Sequence, residues 1–93
     1  MPDRLSADEI EDALIGTPDW ELAQGNKIVR TFQFKGFAEA MEFVNDIAAL
    51  AEKANHHPDI DIRWNKVRLA LTTHSRNGLT TNDFELAQAI NDL

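Results

Sequence analysis

The sequence predicts an α+β fold: a two-layer sandwich in which a four-stranded antiparallel sheet carries helices on one face, in the order α-β-β-α-β-β-α. Three observations predict it. Apolar residues alternate with a period of two in two separate stretches, from Ile28 to Phe34 and from Ile60 to Leu71. Between them, from Phe37 to Ala54, they recur at a spacing of three and four. Near each end of the chain, a hydroxyl residue followed three positions later by a carboxylate opens a helical run.

The elements follow in order. Ser6 and Glu9 form a capping box, and Ile10, Leu14 and Ile15 supply an apolar side for a helix of about two turns, closed by Gly16 and Pro18. Residues Trp20 to Ala23, a turn through Gln24, Gly25 and Asn26, and a longer strand read as a hairpin, with Ile28, Arg30, Phe32 and Phe34 on one face. The main helix runs from Phe37 to Ala54, with Phe37, Ala40, Met41, Val44, Ile47, Ala48 and Ala51 on its apolar stripe. Phe43 and Leu50 widen that stripe, which fits either a second contact within the fold or a seam between subunits. A second hairpin places Ile60, Ile62 and Trp64 opposite Val67, Leu69 and Leu71, with a reversal around Asn65 and Lys66. A loop at Asn77 and Gly78 leads to a cap at Thr80, with Asp83 three positions on, and a closing helix built on Phe84, Leu86, Ala87 and Ile90. Helices covering one sheet face leave the other to stay wet or to meet another subunit.

Composition narrows the function. A chain of 93 residues with 43% hydrophobic content supports one core, hence a single domain over residues 1–93. A net charge of -7, with nine scattered basic residues, argues against direct nucleic-acid binding, which requires a surface that neutralises phosphates. No apolar run approaches the roughly 20 residues of a membrane span, and the acidic start of the chain lacks the apolar stretch of a signal peptide. The expectation is a soluble, cytoplasmic protein. With no cysteine, chemistry falls to His, Asp, Glu and the backbone.

Two of the three histidines stand together in "AEKANHHP", at the end of the main helix. Residue by residue they have an ordinary structural explanation, because a cation suits the negative end of a helix and Pro58 forbids continuation. Asp83 is equally well explained as a capping residue. Glu52 reads either as a solvated helix residue or as part of a site, and Trp64 as a core or interface aromatic. A metal site is disfavoured, since adjacent histidines seldom direct both rings at one ion and no pair at i, i+4 exists on a helix.

Taken together, "RLSADEI", Trp20-Glu-Leu22, the Phe32 to Phe37 pattern, "AEKANHHP", "WNKV", "TTH" and "GLTTNDFELA" resemble the pterin-4a-carbinolamine dehydratase family nearly end to end. The most specific part is the His-His-Pro run followed, seventeen residues after His57, by His74 and then Gly-Leu-Thr. The resemblance implies loss of water from a 4a-hydroxytetrahydropterin, a by-product of aromatic amino-acid hydroxylases, to give a quinonoid dihydropterin for recycling. It further implies no cofactor, and a functional link to such a hydroxylase.

By the same resemblance, His56 and His74 form an acid-base pair and His57 chiefly holds the pterin, with Asp83 orienting an imidazole. Pro58 shapes the wall, Thr73, His74, Ser75 and Arg76 offer main-chain groups to the amide-like edge of the ring, and Glu52 and Trp20 support the site. Ser75 and Arg76 stand where the family commonly has an acidic residue, which weighs against a side-chain role there and not against the backbone one. Imidazole titrates near neutrality and serves as acid or base without a metal. The apolar stripe and an uncovered sheet face predict a homo-oligomer, a dimer or a tetramer. The family's vertebrate member doubles as a dimerisation cofactor of a transcription factor, which keeps an oligomeric binding or stabilising module as the alternative function.

Overall fold

The computed structural model describes residues 3–93, so Met1 and Pro2 of the acidic N-terminal stretch lie outside the described residues. Helix α1 (Ala7–Ile15) starts at the capping box, with the Ser6 N–H donating to Glu9 Oε1 at 2.8 Å and the Glu9 N–H donating to Ser6 Oγ at 3.2 Å. That backbone hydrogen bond, with help from the Ser6 hydroxyl, holds the Glu9 carboxyl below its ordinary value. Only Ile10 of the helix is buried; Ile15, expected on the apolar side, is 83% exposed at the last position of the helix.

Strands β1 (Glu21–Ala23) and β2 (Lys27–Gln33) form the first hairpin, with Ala23 opposite Lys27. Its turn puts Gln24 and Gly25 in left-handed backbone, at φ 56° and 73°, as hairpin turns of the primed type require. Helix α2 (Phe37–Ala54) has the predicted bounds. Strands β3 (Asp59–Arg63) and β4 (Lys66–Leu71) form the second hairpin, and β4 pairs with β2, giving one antiparallel sheet in the order β1-β2-β4-β3. A 3-10 turn over His74–Arg76 and helix α3 (Thr81–Asn91) complete the chain.

Register explains which face is buried. Ile28 lies opposite Leu71 and Phe32 opposite Val67, while Leu69 has Arg30 on one side and Ile60 on the other. Directly opposed residues in an antiparallel pair point to the same face. These apolar side chains therefore form one surface, which packs against Ile10 of α1, Ala40 and Ile47 of α2, and Phe84, Ala87 and Ile90 of α3. The opposite face carries Thr31, Asp61 and Arg68 in one row and is polar. Phe43 resolves as a contact within the fold, its ring 4.6 Å from that of Phe32 and 5.0 Å from that of Phe34. Phe37, counted on the apolar stripe, is 53% exposed at the first position of α2.

The second reversal falls one residue earlier than the alternation suggests. Arg63 pairs with Lys66, so Trp64 and Asn65 form the loop. Asn65 sets that position: its carbonyl accepts from the Phe34 N–H at 2.8 Å and its side-chain amide donates to the Phe34 carbonyl at 2.9 Å. Trp64 consequently leaves the strand alternation and is 67% exposed at φ 51°, so it is not a core residue of this chain.

Candidate active site

The end of α2 places the first two histidines. Asn55 adopts left-handed backbone at φ 49°, its N–H returns to the Glu52 carbonyl at 3.2 Å, and the His56 N–H returns to the Ala51 carbonyl at 3.1 Å. This is a Schellman ending, in which asparagine tolerates the conformation better than most non-glycine residues. It turns the chain sharply, and Pro58 follows where continued helix is forbidden.

The imidazoles do not cap the helix they end. His56 Nε2 lies 2.6 Å from Asp83 Oδ1, across 27 residues of sequence. Asp83 is completely buried, and the His56 side chain is 13% exposed. His57 Nε2 lies 2.7 Å from Glu52 Oε2, in a pair that stays open to water. Glu52 is therefore engaged by a histidine rather than merely solvated.

Asp83 owes its position to α3. Thr80 and Asp83 form the predicted capping box, the Thr80 N–H donating to Asp83 Oδ2 at 2.9 Å. The Thr73 hydroxyl donates to the same oxygen at 2.8 Å, and the Thr73 and Thr80 hydroxyl oxygens are 2.8 Å apart. Capping and histidine contact thus use different oxygens of one carboxylate. Both explanations of Asp83 hold at once.

His74 opens the 3-10 turn that follows β4, rather than ending the strand itself. Thr73, immediately before it, is buried and bonds to Gly78 in both directions, its N–H to the Gly78 carbonyl at 2.9 Å and the Gly78 N–H to its carbonyl at 3.4 Å. A Cβ at Gly78 would come within 2.6 Å of Arg4 Cδ, so the exposed Arg4 side chain would have to move aside for it. Asn77 takes the left-handed conformation, at φ 56°.

The three histidines meet around one open depression of about 310 Å³, lined also by Thr73 and Ser75. Pro58, Arg76, Glu52 and Trp20 are not part of that lining. Trp20 packs at the other end of α3, where its Nε1 donates to Asn91 Oδ1 at 2.9 Å and its ring meets Phe32 edge-on. Eleven residues of helix separate it from the N-terminus of α3 by about 15 Å. Asn55, Thr72 and Asn82 complete the lining without having been singled out from the sequence. Only Asn55 carried a local signal, as an asparagine at a helix exit. The arrangement supplies imidazoles, one of them backed by a buried carboxylate, around an open recess.

Comparison with known proteins supplies the lineage. The family model described as pterin 4 alpha carbinolamine dehydratase matches residues 3–93. A relative from Chloroflexus aurantiacus is 57% identical, covering 100% of this chain and 98% of its own length. One from Chloroflexus aggregans is 56% identical, covering 97% and 96%. Both are named, provisionally, as pterin-4-alpha-carbinolamine dehydratases. The crystal structure described as a transcriptional coactivator/pterin dehydratase from Brucella melitensis superposes with a TM-score of 0.92 at 37% identity, covering 97% of each chain. A pterin dehydratase-like protein described as a RuBisCO assembly factor in the alpha-carboxysome matches with a TM-score of 0.68 over 80% of this chain; at 21% identity it shows the fold alone. A match that runs from residue 3 to residue 93, with relatives more than half identical over nearly their whole length, leaves one assignment: this chain belongs to the pterin 4 alpha carbinolamine dehydratase family.

Proposed function

We propose that the protein is a 4a-hydroxytetrahydropterin dehydratase working by histidine acid-base catalysis. The observation that carries the reading is the convergence of His56, His57 and His74 on one recess, with His56 held by the buried Asp83. In the reaction the C4a–O bond breaks and the oxygen leaves as water, taking a proton from an imidazolium. The lone pair of the adjacent ring nitrogen closes the C=N bond of the quinonoid dihydropterin, and a second imidazole takes that nitrogen's proton. His56 and His74 fill these roles on the two sides of the recess. His57, tied to Glu52 in water, holds the ring. Thr73, His74 and Ser75 offer main-chain groups to the pterin's amide-like edge, while Pro58 and Arg76 lie further out.

Stopped-flow decay of enzymatically generated 4a-hydroxytetrahydropterin near pH 7 tests this. Decay well above the buffer rate, unchanged by chelator, is the expected result; decay equal to buffer alone ends the proposal.

The same reading includes self-association as a dimer or tetramer. Its support is an open sheet with β1 and β3 as edges, the exposed Phe37, and a groove between α2 and α3 floored by Leu50, Leu86 and Ala89. Light scattering at tens of micromolar, a concentration ordinary for such interfaces, checks it: a species of only 10.5 kDa would count against it.

A further inference from the structure

The geometry points to Thr73 as a positioning residue that holds Asp83 in place against the His56 ring, whose Nε2–H form that carboxylate dictates, so that Nδ1 is the nitrogen offered to the recess. A carboxylate only accepts hydrogen bonds. Asp83 Oδ2 is occupied by two donors, the Thr73 hydroxyl at 2.8 Å and the Thr80 N–H at 2.9 Å, which leaves Oδ1 to face His56 Nε2 at 2.6 Å. A proton must therefore sit on Nε2 whether the ring is neutral or charged. Thr73 has given its one hydroxyl proton to Asp83, so the Thr80 hydroxyl donates to Thr73 Oγ1 across their 2.8 Å contact. Thr73, Thr80 and Asp83 are all buried.

Nδ1 is different. Among the described residues it has no hydrogen-bond partner, and no buried side-chain nitrogen or oxygen is left unpaired, so this atom is within reach of solvent. His56 itself lines the recess. Thr73 stands one residue before His74, so a single hydroxyl ties the turn bearing one histidine to the carboxylate that orients the other. That Nδ1 meets substrate rests on the proposed dehydratase reading; the ring's protonation pattern does not.

The experiment is two-bond proton–nitrogen correlation of the histidine rings in labelled, substrate-free protein, at a pH where the imidazoles are neutral. His56 is expected as the Nε2–H tautomer, and the Thr73 hydroxyl proton as a slowly exchanging resonance close to Thr80. Asp83→Asn presents an amide in place of Oδ1 and should convert His56 toward the Nδ1–H form. Thr73→Val should keep the Nε2–H tautomer, since Asp83 still only accepts, but should lower kcat about tenfold with little change in KM as the carboxylate loses its anchor, and Thr73→Ser should restore kcat.

An Nδ1–H tautomer in the unmodified protein, or a freely exchanging Thr73 hydroxyl, overturns the inference without any variant having to fold. So does a folded Thr73→Val protein with unchanged kcat. Because the spectra are recorded without substrate, a failed dehydratase assay sinks the proposed function and leaves this test decisive.

Discussion

His56 and His57 are neighbours in the chain, and each meets a carboxylate through Nε2, at 2.6 Å from Asp83 and at 2.7 Å from Glu52. Their surroundings differ. The first pair has side chains 13% and 0% exposed, the second 57% and 76%. In water the charges of the second pair are screened and its long side chain must be ordered, so it contributes little to stability. Inside the fold, Asp83 has been stripped of water and depends on three protein donors. Nearly equal contact distances thus leave one imidazole loosely held in water and the other rigidly held against a buried carboxylate.

The largest effect should come from breaking the buried pair. Asp83→Ala leaves the Thr73 hydroxyl, the Thr80 N–H and the His56 ring without their acceptor, and thermal or denaturant unfolding should show a loss of about 3–5 kcal/mol. Glu52→Ala should cost under about 1 kcal/mol. Equal losses would erase the distinction between the two regions.

Turnover should separate the histidines next. His74→Ala should lower kcat roughly 10²-fold with the melting temperature unchanged, because His74 is exposed at the start of its turn. His56→Ala should lose a similar factor and some stability as well, since Asp83 Oδ1 loses its donor. The double variant should be far worse than either. His57→Ala should raise KM more than it lowers kcat, as expected for a group that binds ground and transition states alike. Full activity in His74→Ala would remove it from the site whatever the family.

Asp83→Asn sharpens the contrast: it keeps the size of the side chain but puts an NH2 group in place of one carboxylate oxygen, and should lower kcat far more than Glu52→Gln does. The smallest effect lies far from the site, at Glu9. Its carboxyl is held low by the Ser6 N–H, so its contribution to α1 is present above the ordinary carboxylate value and is lost as pH falls through the lowered one. Protection of the amides in the first turn of α1, measured against their intrinsic exchange rates, should fall over that acid range, and Glu9→Gln should flatten the dependence.

Much of this was legible from local patterns. Both capping boxes, the bounds of α2, the hairpin turn at Gln24 and Gly25, and the inward alternation of Ile28, Val67, Leu69 and Leu71 follow from short-range periodicity and turn chemistry. Ile15 and Trp64 were misplaced for one reason. An apolar residue at the end of an element continues the pattern whether or not a partner stands opposite it. At Trp64 the decision belonged to Asn65, through two hydrogen bonds to Phe34, 31 residues away.

The sequence by itself determined the order of elements, the inward alternation of the two central strands, and the placing of two histidines at a helix exit, a third after β4 and Asp83 in a capping box. Those are local matters, set by residue type and by neighbours within a few positions. Only the tertiary structure decided that Asp83 faces His56 rather than solvent and that Glu52, not Asp83, takes His57. It also placed Trp20 at the opposite end of α3 and put Thr73 behind the buried carboxylate. Asp83 meets His56 across 27 residues and Thr73 across 10, and no periodicity reports such a meeting, because it exists only after the start of α3 has packed against the end of α2 and the residue before the 3-10 turn. Burial then turned a helix cap into a charge deprived of water, which is what makes its partners matter.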